Sequence, residues 1–109
     1  MPYFTHGDDR HKLMLLYFIV HLRFSVSPDQ LADLLALGDF MTYFEAKTLL
    51  ADLIDVDFIL LETIHNNAFC VVTEKGRTAL SYFINSVPTS RIEALQAFAD
   101  EQNAKWLDA

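Results

Sequence analysis

The sequence predicts a mainly helical fold with one small β-hairpin: a three-helix core, a two-stranded flap, and two further helices at the C-terminal end. Two short runs, Leu60 to Ile64 and Ala68 to Val72, are rich in apolar and β-favouring residues and flank a His-Asn-Asn turn segment. Capping-box patterns stand at Ser27 to Gln30, Thr42 to Glu45 and Ser90 to Glu93. Around these signals apolar residues recur at alternating three and four, the spacing of a helix face.

Residues Met1 to Gly7 form an arm with two aromatics, Tyr3 and Phe4, which either frays or tucks against a neighbour. Asp8 or Asp9 can start the first helix, expected to run to about Arg23. Leu13, Leu16, Tyr17, Val20 and Phe24 share one face, and Met14, Leu15, Phe18 and Ile19 fill the rest. A helix apolar all round is buried all round. It therefore needs cover from a second subunit or from the terminal helix, and dimer packing is the preferred expectation.

Ser27-Pro28-Asp29-Gln30 offers a hydroxyl cap, proline at the first helical position, an acid in the first turn and a box-closing glutamine. Leu31, Leu34 and Leu35 make the buried stripe, and Gly38 is expected to end the helix in the left-handed conformation. After a short turn, Thr42-Tyr43-Phe44-Glu45 opens a helix reaching about Asp55. Its inner stripe is Ala46, Leu49, Leu50, Leu53 and Ile54. Rotation by about 100° per residue sends Phe44, Thr48, Ala51, Asp52 and Asp55 outward, with Glu45 and Lys47 on the flanks.

The hairpin is expected to turn at Asn66-Asn67, since asparagine tolerates the positive φ of a type I′ turn. That loop sets Ile64 opposite Phe69, Glu62 opposite Val71 and Leu61 opposite Val72. Leu61, Thr63, Cys70 and Val72 then share the inward face. Thr73 caps the next helix, with Glu74 at the positive end of its dipole. Leu80, Phe83, Ile84 and Val87 line that helix, and Pro88 stops it. Ser90 opens a terminal helix whose Ile92, Leu95, Ala99, Gln102 and Trp106 form a heptad-like seam. The chain divides into residues 1–88, the core domain with its arm, and 89–109, a dimerisation helix. Leu13, Tyr17, Ile92, Leu95, Ala99 and Trp106 are the expected dimer contacts.

Helix, Ser-capped helix, Thr-capped helix and hairpin are the outline of a winged helix-turn-helix. With Thr73-Glu74-Lys75-Gly76-Arg77 at the wing exit, the chain resembles bacterial winged-helix transcriptional regulators, in which a T-x-x-G segment commonly follows the wing. More narrowly, it is similar to a family of small bacterial winged-helix proteins with no established activity. Lys12-Leu13, Leu15-Leu16-Tyr17, Met41-Thr42-Tyr43-Phe44, Thr73 to Arg77 with Leu80, and Val87-Pro88 carry that likeness, which spans most of the chain. The resemblance implies a homodimer that binds duplex DNA through the Thr42 helix and the wing.

On that reading Thr42, Tyr43, Phe44, Lys47 and Thr48 approach base edges, and Phe44 can meet a thymine methyl. His65, Asn66 and Asn67 at the wing tip reach phosphate or the minor groove, and Lys75 and Arg77 face the backbone. For Asn66 and Asn67, ordinary turn chemistry is the better account. The charge argues the other way. The 109 residues carry a net −7, and Glu45, Asp52 and Asp55 put acid on or beside the outer face of the helix, with Asp39, Asp57 and Glu62 nearby. Such charges repel phosphate. The alternative is a protein-docking module centred on Tyr43 and Phe44.

Hydrophobic residues make up 52% and charged residues 21%, enough for a packed core. Nine Phe, four Tyr and one Trp are a heavy aromatic load, so either the core is large or apolar surface is left for a partner. A single cysteine forms no intrachain disulfide and fits a reducing compartment. The run Leu13 to Val20 is too short to span a bilayer, follows Asp8 and Asp9, and has no small-residue cleavage site after it. The expected location is cytoplasmic, with no membrane partner. His6, His11, His21, His65 and Cys70 lack metal-ligand spacing, and three glycines make no phosphate loop. Asp52, Asp55 and Asp57 read as a solvated helix end. Neither catalysis nor a cofactor or metal is expected.

Overall fold

The computed structural model describes residues 9–108, so Tyr3, Phe4, His6 and Asp8 lie outside the described residues. The elements are α1 (Asp9–His21), α2 (Pro28–Leu37), α3 (Tyr43–Asp55), β1 (Ile59–Ile64), β2 (Asn67–Val72), α4 (Glu74–Phe83) and α5 (Thr89–Leu107). A single 3₁₀ turn, Ile84–Ser86, links α4 to α5. This is a mainly helical, two-stranded arrangement compatible with a winged helix-turn-helix layout.

The all-round apolar character of α1 is satisfied inside the chain. Leu13, Met14, Leu15, Leu16 and Phe18 are buried, and α5 lies across the helix. Tyr17 donates its hydroxyl to Gln96 Oε1 at 2.8 Å. The rings of Phe18 and Phe98 stack at 5.7 Å, and those of Phe24 and Trp106 at 5.5 Å. Leu13, Leu95 and Ala99, expected at a dimer seam, are sealed in the chain's own core, with Tyr17 and Ile92 packed on its edge and Trp106 half exposed. The heptad-like spacing therefore describes an intramolecular contact, the other cover considered for α1.

Asn103 completes that contact. Its Oδ1 accepts from Arg23 N at 2.8 Å and its Nδ2 donates to the His21 carbonyl at 2.9 Å. One buried amide thus serves two backbone groups left over where α1 ends. That end comes at His21, slightly short of the expected Arg23.

The second helix starts as its sequence dictates. Ser27 Oγ accepts from Gln30 N while Gln30 Oε1 accepts from Ser27 N, a complete capping box. Its end differs. Gly38 holds φ −78°, and Asp39 takes the left-handed conformation at φ 61°. Glycine at 38 is favoured by space, because a Cβ there would come within 2.6 Å of the Phe40 ring and force it to shift. Thr42 caps α3 by accepting from Glu45 N, but the box is left half made. The Glu45 carboxylate turns instead to His11 of α1, whose Nδ1 lies 2.7 Å from Oε2.

The hairpin forms with a register two residues from the expected one. Ile59 pairs with Val72, Leu61 with Cys70, Glu62 with Phe69 and Ile64 with Asn67. The turn is His65-Asn66, at φ 50° and 67°, and Asn67 is already in β2. A two-residue shift keeps alternation intact, so Leu61, Thr63, Cys70 and Val72 do share a face. Only its base is inward: Ile59, Cys70 and Val72 are buried, whereas Leu61 and Thr63 project into solvent beyond the core. Cys70 N also donates to the Val26 carbonyl at 2.8 Å, so the α1–α2 connection runs beside β2 like a rudimentary third strand.

The Thr73 to Arg77 segment bolts the hairpin to α4. Thr73 N donates to the Phe58 carbonyl, and its hydroxyl donates to the Asp57 carbonyl while accepting from Gly76 N. A Cβ at Gly76 would run into the Phe58 carbonyl oxygen and sit 3.0 Å from Val72 Cγ1. The T-x-x-G spacing thus has a local cause: threonine ties down the strand ends, and glycine admits the carbonyl of Phe58. Past Leu80 the sequence reading needs two corrections. The helix gives way at Ile84 to the 3₁₀ turn, and Pro88 is the N-cap residue of α5, whose first residue is Thr89. Ser90 lies inside that helix and caps nothing, because the Pro88 carbonyl already accepts from Arg91 N and Ile92 N.

Candidate nucleic-acid interface

Rotation along α3 places its side chains as expected. Ala46, Leu49, Leu50 and Leu53 are buried, and Thr48, Ala51 and Asp55 are exposed. Phe44 is 78% exposed, its ring edge-on to Tyr43 at 5.5 Å. The polar groups nearest it are already engaged. Thr42 spends its hydroxyl on the cap, and Thr48 donates to the Phe44 carbonyl at 2.9 Å.

Lys47, the one cation in α3, is held by Asp29 in the first turn of α2, with Nζ 2.6 Å from Oδ1. Tyr43 donates its hydroxyl to the same oxygen at 2.8 Å. The hydrogen bond from Lys47, then that from Tyr43, holds the Asp29 carboxyl below the ordinary aspartate range. The bond to Asp29 raises the Lys47 ammonium and the Tyr43 hydroxyl in turn. These groups face solvent, so the shifts describe a screened surface contact. They also mean that Lys47 reaches a phosphate only by leaving Asp29.

The remaining acids lie as the sequence placed them. Asp52 sits 3.9 Å from the Lys12 ammonium, and Asp55, Asp57 and Glu62 are exposed. The other expected cations lie on α4. Lys75 and Arg77 are exposed in the first turns of α4, with the Lys75 ammonium 5.6 Å from the centre of the Phe58 ring. Arg77 lines an open groove beside β2 together with Arg23, at the end of α1. Arg23 was missed in the sequence because nothing local marks it; the fold places it on the wall of the same groove as Arg77, more than fifty residues away in the chain. His65, Asn66 and Asn67 are exposed at the hairpin tip, where Asn67 Nδ2 donates to the His65 carbonyl at 3.3 Å. The expected DNA contacts therefore fall into an α3 set whose polar groups are engaged by neighbours, a polar tip, and two exposed cations, Lys75 and Arg77, in the first turns of α4.

Among the described residues, no three His, Cys, Asp or Glu side chains are grouped to hold a metal ion. His21 bonds to the Tyr17 carbonyl and stacks on that ring at 4.0 Å. Cys70 is buried, and desolvation pushes its thiol up to about 11, away from nucleophilic use near neutral pH. No described helix is long and apolar enough to cross a membrane.

The fold is thus that of a small helical protein with a hairpin flap. Residues 11–108 match the domain of unknown function DUF4364, and the chain belongs to that family. No curated protein and no solved structure matches it.

Proposed function

We propose that the protein is a winged-helix transcriptional regulator that binds duplex DNA as a homodimer. The observation that carries this reading is the exposed outer face of α3 standing next in the chain to a hairpin whose base is bolted to α4 by Thr73 and Gly76. Such a pairing lets a helix enter the major groove while the flap follows the backbone. Lys75, Arg77 and Arg23 supply the phosphate contacts, and Thr48 and Phe44 lie nearest base edges. Because Leu13, Leu95 and Ala99 are used internally, the pairing surface is drawn from apolar residues still outside, among them Tyr82 on α4 and Leu107 on α5. The deciding experiment is duplex affinity against salt concentration. A linear fall of log K with log salt that becomes shallower in Arg77→Ala supports the reading, and no binding at low salt ends it.

A second reading is favoured by one observation: Phe44, the most exposed large apolar side chain among the described residues, lies beside a lysine already neutralised by Asp29. On that reading the same helix docks a protein. Cross-linking from a photoreactive residue at position 44, with and without competing duplex, separates the two.

A further inference from the structure

We infer that the groove between α2 and the end of α5 is a binding site for a small, planar, non-anionic molecule with an amide-type edge. The groove has a volume of about 370 Å³, room for a one- or two-ring compound, and its wall includes Phe24, Val26, Leu34 and Trp106. Phe24 and Trp106 stack nearly parallel, 11° apart, and Trp106 remains 51% exposed at the mouth, so the site has a flat aromatic wall.

Gln102 marks the site as more than a surface dent. It lines the groove and is only 8% exposed, yet its Nε2 has no hydrogen-bond partner among the described residues. Buried amides in folded proteins are nearly always satisfied, and an orphan is explained by what it is built to meet. A glutamine amide offers a donor and an acceptor side by side, which match the carbonyl and N–H of a primary aromatic amide or a lactam. The rim selects against an anion. Lys105 is already paired with Glu101 at 3.2 Å, and Asp33 stands at the same mouth to repel an anion. The groove uses no residue of the α3 face, shares Phe24 and Val26 with the groove beside β2, and needs no bound DNA.

Trp106 is the chain's one tryptophan and reports on the groove directly. The test is titration of the full chain with benzamide, alongside benzoate (same shape, anionic) and toluene (no amide), read by indole fluorescence and by melting temperature. Benzamide is expected to give a saturable fluorescence change and a raised melting temperature, with the other two weaker by about tenfold or more, the scale of one lost hydrogen bond. Gln102→Met keeps the volume and removes the amide. It should bind benzamide about tenfold more weakly while melting no lower than the parent. Leu34→Phe narrows the groove without touching Gln102 and should weaken binding as well. No saturable response to benzamide, equal binding by toluene, or undiminished binding by Gln102→Met overturns the assignment. Protection of Trp106 that grows with protein concentration alone also overturns it, since a second copy then fills the groove.

Discussion

The ammonium of Lys47 rests 2.6 Å from the carboxylate of Asp29, so the two helices of the helix-turn-helix are tied by the charge a DNA reader would most need free. Asp29→Asn releases Lys47 and removes one acid. On the DNA reading, duplex affinity at low salt rises in this variant and falls in Lys47→Ala. Slopes of log K against log salt are expected to differ between the two by about one phosphate contact, roughly 0.9.

The same pair has a pH signature. The folded-state pKa of Asp29 is depressed, so the contact is complete above the ordinary aspartate range and is lost as pH falls through the lowered value. A carboxyl-carbon NMR titration should find the Asp29 midpoint below that of an unperturbed aspartate. Lys47→Ala should move it upward, because the lysine hydrogen bond is the leading cause of the depression.

Two glycines predict contrasting costs for one methyl group. At Gly38 the added Cβ meets the rim of the Phe40 ring, a side chain able to shift. At Gly76 it meets the backbone carbonyl of Phe58, which is itself held by Thr73 N. Gly76→Ala should lose about 2–3 kcal/mol in urea unfolding despite the helix-propensity gain, and Gly38→Ala about 1 kcal/mol.

Asn103→Leu removes the amide that serves Arg23 N and the His21 carbonyl. Two part-buried backbone groups lose their partner, at a cost of about 1–2 kcal/mol in all. Hydrogen exchange should show the Arg23 amide exchanging faster in this variant than the amides of α3.

The Cys70 thiol is raised to about 11 by burial, so the unfolded chain gives up that proton first. Stability should therefore fall as pH rises from about 9 toward 11, and Cys70→Ala should flatten that part of the profile. Alkylation by iodoacetamide at pH 8 should be slow in the native protein and fast in denaturant.

The parts of the fold legible in the sequence are those with short-range causes. Ser27, Thr42 and Thr73 cap helices because each hydroxyl needs only an amide three residues away. The inner stripe of α3 follows from rotation alone. Contacts settled across the chain stayed hidden. The hairpin turned at His65-Asn66 because Cys70 is also held by Val26 and Thr73 by Phe58, ties that Asn-Asn chemistry cannot reveal. The seam of α5 looked intermolecular because spacing shows that a stripe is buried but not against which chain. At the candidate interface, the outward face of α3 was readable, but the pairing of Lys47 with Asp29 and the placing of Arg23 and Arg77 on one groove were not.

Asn103 also bears on the order in which the chain is made. The end of the first helix is finished by a residue some eighty positions later, so in a growing chain the side of that helix covered by α5 stays open until residue 103 has emerged from the ribosome. A polypeptide cut short before residue 103 leaves the end of that helix without its partner.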